Sequence, residues 1–168
     1  MKKVLLAAVL ALAVAVPAMA ATPVKVSLWD GIEAPKSDTV HGLELGIGGK
    51  SDVVKGVQLE FIKGDVSEIT GVQLGIFLRA NKVVGIQSGI VGFADNVTGM
   101  QWNFINFSSE HVSGAQIGLY NQANSITGLQ LGFVNNAQNL DRGLQLGILN
   151  LSKNGWINPV MVFVNGKF

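Results

Sequence analysis

Cysteine is absent from the 168 residues, which excludes a disulfide framework, a thiolate metal site and a lipid-attachment cysteine. Histidine is nearly absent, with only His41 and His111. Neither has a second histidine or a carboxylate at metal-ligand spacing, apart from Glu110 beside His111, and adjacent strand residues face opposite ways. Both read as surface or turn histidines, and no metal site is expected. Charge is scarce and balanced, 12 basic against 11 acidic residues with no basic stripe, so nothing draws the chain to nucleic acid. Tryptophan and tyrosine number three and one, too few for well-developed aromatic girdles.

The motifs of chemistry are missing as well. No Gly-x-Ser-x-Gly elbow, Ser-x-x-Lys pair, Walker lysine or Gly-x-Gly-x-x-Gly helix start occurs. The isolated aspartates Asp38, Asp52, Asp65, Asp95 and Asp141 sit in turn-like stretches, where aspartate is favoured for local reasons. The expectation is a non-enzymatic protein with no catalytic residue, no cofactor and no identified small-molecule substrate.

One long apolar run is present, Val4 to Val16, behind Lys2 and Lys3 and ahead of Pro17 and the small-x-small stretch Ala18 to Ala20. This reads as an export signal (residues 1–20), short of the about 20 apolar residues of a membrane-spanning helix. Residues 21–168 are then expected to form a single all-β repeat domain. Without the signal lysines it carries 10 basic and 11 acidic residues, a net charge of −1.

That domain repeats itself. Eight times a glycine, an apolar residue, a glutamine (glutamate in the first copy) and another residue, usually apolar, recur, mostly followed by a second glycine. The leading glycines are Gly42, Gly56, Gly71, Gly85, Gly99, Gly114, Gly128 and Gly143, spaced 14 or 15 residues apart. The central row is Glu44, Gln58, Gln73, Gln87, Gln101, Gln116, Gln130 and Gln145. A short, regular period means one small structural unit copied side by side. Alternation along each copy sorts residues onto two faces. In the seventh copy Leu129, Leu131 and Phe133 share one face, and Ile126, Gly128, Gln130, Gly132 and Val134 share the other. Each copy therefore reads as a strand of about nine residues and a turn of five or six. No stretch after the signal has apolar residues at helical spacing, so almost no helix is expected.

Two architectures fit. In a closed antiparallel up-and-down β-barrel of eight strand-turn units, glutamines would hydrogen-bond around a ring inside the lumen. Flanking strands would come from Val24 to Trp29 and from Pro159 to Phe168, and closure would remove sticky edges. The alternative is a small β-solenoid, one coil per repeat, in which identical residues stack as ladders and the bulky face fills the interior. The barrel is preferred, because a slip between 14 and 15 residues is absorbed more easily in a hairpin turn. Its apolar face would point outward, as in outer-membrane barrels, and the terminal Phe168 adds to that comparison. The rows also yield a test: exposed glutamines favour the solenoid, protected ones the barrel.

In the last four copies the unit closes on asparagine, at Asn106, Asn121, Asn135 and Asn150; Gly49, Lys63, Leu78 and Gly92 hold that place earlier. This Gly-apolar-Gln-apolar-Gly-apolar-apolar-Asn unit, best developed over Gly128–Asn135 and Gly143–Asn150, resembles that of a group of exported bacterial surface repeat proteins with no assigned activity. The likeness covers His41 to about Asn150. The expectation is a structural or surface component of the cell envelope, at the outer membrane, in the periplasm or at the cell surface. Its partner would be outer-membrane lipid or another envelope protein. The other reading is a soluble periplasmic or secreted binding module that presents a glutamine- and glycine-rich surface.

Overall fold

The computed structural model describes residues 21–168; the expected export signal lies outside the described residues. Extended backbone dominates and no helix occurs among the described residues. The elements are β1 (Thr22–Trp29), β2 (Ile32–Ala34), β3 (Thr39–Ile117), β4 (Tyr120–Leu131), β5 (Val134–Ser152) and β6 (Val160–Lys167). Strand β3 is not straight. It winds through successive coils without interruption, and the coils stack in parallel: β4 pairs parallel with the end of β3, and β5 parallel with β4. Register aligns like with like, Gly114 with Gly128 with Gly143 and Gln116 with Gln130 with Gln145. Backbone hydrogen bonds climb the stack at one-repeat intervals, Leu119 donating to Phe104 and Phe133 to Leu119.

The chain is therefore a β-solenoid of about eight coils, and the expected antiparallel barrel is wrong. Hairpins would have paired neighbouring copies antiparallel; here each coil closes on itself and passes upward. The 14-to-15 slip is absorbed without hairpins. One extra residue bulges between Ser108 and His111 in the sixth coil, and Asp141 bulges out between Leu140 and Arg142 in the eighth. A bulge places the extra residue outside the ladder and keeps the register above and below.

The interior is thin. One inner column is Val40, Val54, Ile69, Val83, Val97, Val112, Ile126 and Leu140, all buried. Alanines such as Ala80, Ala94, Ala123 and Ala137 form another. Between them lie the glutamines, all fully buried. The leading glycines are imposed by this packing. At Gly114 the backbone has φ +138°, and a β-carbon there would lie 1.9 Å from the carbonyl oxygen of Gly99. No side chain fits, because the coils approach backbone to backbone.

Both ends are capped by pieces of the same chain. At the start, β1 lies parallel on the first coil with Lys25 above Glu44, and the three-residue β2 covers its outer edge. At the finish, β6 runs antiparallel against β5 and places Asn165 beside Gln145. The expected flanking strands are thus present, as solenoid caps. The edge strands are short, β2 of three residues and β6 of eight, which limits the row of unpaired backbone groups that an open stack would present.

Replacing Gly114 by alanine is expected to destabilise the protein by at least about 3 kcal/mol, since it adds both backbone strain and a backbone clash. Urea unfolding followed by circular dichroism measures this, and a change under 1 kcal/mol would contradict the close-stacked coils.

Candidate functional site

The recurring polar row of the repeat builds a ladder through the core. Gln73 Nε2 donates to Gln58 Oε1 at 2.8 Å, Gln87 to Gln73 at 2.8 Å, and Gln101 to Gln87 at 2.9 Å. Gln116, Gln130 and Gln145 continue the series at 2.8, 2.7 and 2.7 Å. Several of these amides use the second N–H on a backbone carbonyl of their own coil, Gln116 on Gln122 and Gln145 on Leu151. A buried amide with its donors and acceptor met costs little; one left unmet costs about 1–3 kcal/mol. The expected ring is therefore a line. It has a direction, because every donor points toward the N-terminal end.

Direction explains the one exception in the row. Glu44, the one acid in the row, is fully buried and terminates the ladder. It accepts from Gln58 at 3.1 Å and from Ser51, and a carboxylate has nothing to donate, so no further acceptor is needed below it. Lys25 stands 3.6 Å away and pairs with Glu33 at 2.7 Å. At the other end Asn165 donates to Gln145 at 2.9 Å, and its own oxygen takes the backbone N–H of Trp156.

The asparagines form a second ladder running the opposite way. Asn106 donates to Asn121, Asn121 to Asn135 and Asn135 to Asn150, each at 2.8 Å. The early copies break this row for a packing reason. Glu60 occupies the space over Gly49, where a β-carbon would lie 2.2 Å from its carboxyl oxygen. Asn103 likewise fills the space over Gly92, 2.3 Å from such an atom, and donates to Asn106 to start the ladder. Glu60 and Asn103 stand where other copies carry the second glycine, so a gained side chain is matched by a lost one in the coil below.

With the amides inside, the bulky row faces out. This contradicts the expectation that a solenoid would bury its leucines and expose its glutamines. Four outward columns, the residues one before and one, three and four after each central glutamine, hold no charged residue in any of the eight coils. Phe61, Trp102, Phe104 and Phe133 are each about 60% exposed or more (69, 60, 58 and 58%). At strand spacing the face measures about 40 Å by 17 Å, of order 700 Å² in projection with the caps, above the largest patch of most monomers. A groove of about 860 Å³ runs along it, floored by Gly89, Gly118, Gly132 and Gly147 and walled by Trp102 and Phe133. Phe163 closes one end. Its register opposite Gly147 would send it inward, but a left-handed φ of 67° turns the ring out to the groove. Ser88 lines the same groove, in an apolar column; no catalytic partner adjoins it. The charged and amide residues lie on the other side, for example Lys82 with Glu68 and Lys153 with Gln138.

His41 is exposed, and His111 joins a surface column with Ser125 and Asp141 that sequence reasoning missed. His111 Nδ1 lies 3.2 Å from the serine hydroxyl, which donates to Asp141, while Asp141 stands 3.8 Å from that same ring nitrogen. In a nucleophilic relay the acid holds the far ring nitrogen, so this is hydrogen bonding between stacked turns. Among the described residues no three ligating side chains converge on a metal-sized site, and no helix is long and apolar enough to cross a membrane. Compared with protein-family models, curated proteins and solved structures, the chain gave no match.

One buried acid titrates abnormally. Burial pushes the Glu60 carboxyl from an ordinary 4.5 to about 8; the Ser27 hydroxyl opposes that and the nearby Glu44 charge adds to it. One of its oxygens has no hydrogen-bond partner. Glu60 is therefore protonated in the folded protein at pH 7 and ionised in the unfolded chain, so folding binds a proton. Stability is then expected to fall as pH rises from about 4.5 to about 8 and to level off above. Unfolding midpoints measured across that range should slope downward for the natural protein and flatten in Glu60→Gln; an equal slope in both would contradict this assignment.

Proposed function

We propose that the protein is a non-enzymatic, exported component of the cell envelope, structural or surface-located, that acts by association through its apolar face. The observation that carries the reading is the uncharged column set running the full length of the solenoid. A monomeric protein gains nothing from exposing such a face, and faces of this size mark contacts with lipid or protein. The export-type sequence at residues 2–20 supports placement at the outer membrane, in the periplasm or at the cell surface. Rigid capped repeats and two amide ladders suit a scaffold, and the rows that would otherwise supply chemistry are spent on holding coils together.

The glutamine row, which the other reading would present to a partner, is buried from end to end. A soluble module would have to bind through the apolar face instead, which returns to association.

Expression with residues 1–20 in a Gram-negative host, followed by fractionation, tests the proposal. The protein is expected in the envelope fraction or in an assembly larger than one chain. Recovery as a freely soluble monomer without detergent would overturn it.

A further inference from the structure

We infer that the apolar face is covered by a second copy of this chain, packed face to face with its coil axis reversed. The inference rests on the reading of that face as an association surface. Its observation is the column one residue after the central glutamines: Leu45, Leu59, Leu74, Ser88, then Trp102, Ile117, Leu131, Leu146. The smallest and the largest members are neighbours, and they flank the midpoint of the eight coils. Beyond the coils the stack is extended by β1 and the three-residue β2 at one end and by β6 at the other, so the pair also lies near the middle of the whole stack.

Consider a twofold axis lying in the interface, parallel to the strands and through that midpoint. It lays each column on itself and sets coil one against coil eight, two against seven, three against six and four against five. Leucine then meets leucine twice, leucine meets isoleucine, and Trp102 meets Ser88 of the second copy. The same contact recurs by symmetry, so the surface is self-complementary as a twofold interface requires. Strand directions in the two faces stay aligned, as in packed sheets about 10 Å apart. The groove gives the ring somewhere to go, since Ser88 and Gly89 line it. A parallel arrangement with the axis along the column would set Trp102 on Trp102 and Ser88 on Ser88, a clash beside a void.

Composition and size agree. Interface cores are depleted of charge and enriched in aromatic anchors such as tryptophan, and these columns carry no charge. The face, of order 700 Å² in projection, approaches the roughly 800 Å² that each partner contributes to a standard interface.

The experiment is a size swap read by sedimentation equilibrium on the purified chain without residues 1–20, with circular dichroism confirming the fold of every variant. The natural protein is expected to be a dimer. Trp102→Ser and Ser88→Trp alone are each expected to weaken it roughly tenfold or more, and the double change to restore it, because the knob and hole simply exchange coils. The absence of cysteine allows a second readout. His41→Cys and Arg142→Cys lie in one column on coils one and eight, so a short bismaleimide should join the two variants when mixed and neither alone. Single variants that leave the dimer unchanged, a double variant no better than the singles, or self-linking of each cysteine variant would overturn the antiparallel pairing. A monomer that binds vesicles of outer-membrane lipid would overturn the second-copy assignment and leave the association reading standing. A monomer that binds neither would remove both.

Discussion

The pairing of side-chain amides at the spacing of stacked strands is the interaction on which the rest of this structure depends. Successive coils lie about 4.8 Å apart, and at that distance a glutamine reaches the next one with a hydrogen bond of 2.7–2.9 Å. Parallel, in-register stacking is the arrangement that lays the row out in this way, so the amide fixes the direction of the chain path as well as its repeat length. A line of donors must start and stop somewhere. Glu44, acceptor only, closes the N-terminal end, and Asn165 opens the other with its oxygen held by Trp156. The asparagine ladder runs the opposite way, so over the last coils the two rows of amide dipoles oppose each other.

A coil of 14 or 15 residues encloses little more than one layer of side chains. Once amides, small apolar residues and alanine fill it, the larger leucine and phenylalanine rows have no room within. Packing and electrostatics thus meet in one consequence: the molecule is polar at its centre and apolar along one flank. In ordinary domains the hydrophobic effect decides what is buried. Here the small bore of the coil decides it: paired amides fit inside at little cost, and the unburied apolar surface becomes available for assembly. The left-handed Phe163 and the neighbouring extremes Ser88 and Trp102 are the places where this flank departs from its own regularity, and they lie in the groove.

Much of this was legible in the residues. Eight copies, two alternating faces, absence of helix after residue 20 and both end strands follow from spacing and alternation; β1 and β6 fall within two residues of the expected segments. What alternation does not carry is a sign. It separates a glutamine row from a leucine row and leaves open which is inside, because the stability of buried Gln101 comes from Gln87 and Gln116, one repeat away on either side. The slip in period misled for a related reason: a bulge at Asp141 leaves the ladder intact, so variable spacing does not disfavour a coil. Other signals were present and unread. Glu60 departs from the repeat where Gly49 departs one coil earlier, and Asn103 does so with Gly92. Paired departures one coil apart indicate side chains that share a cavity between stacked copies. Glu44, the acid at the first position of an amide row, carries the polarity of the ladder.

Hydrogen exchange of the glutamine side-chain amides, followed by nuclear magnetic resonance on the protein labelled at glutamine nitrogen, tests the central claim most directly. The ladder predicts strongly retarded exchange at Gln73, Gln87, Gln101, Gln116 and Gln130, with proximity between amides one repeat apart. Exchange of those groups at the rate of free glutamine would contradict it.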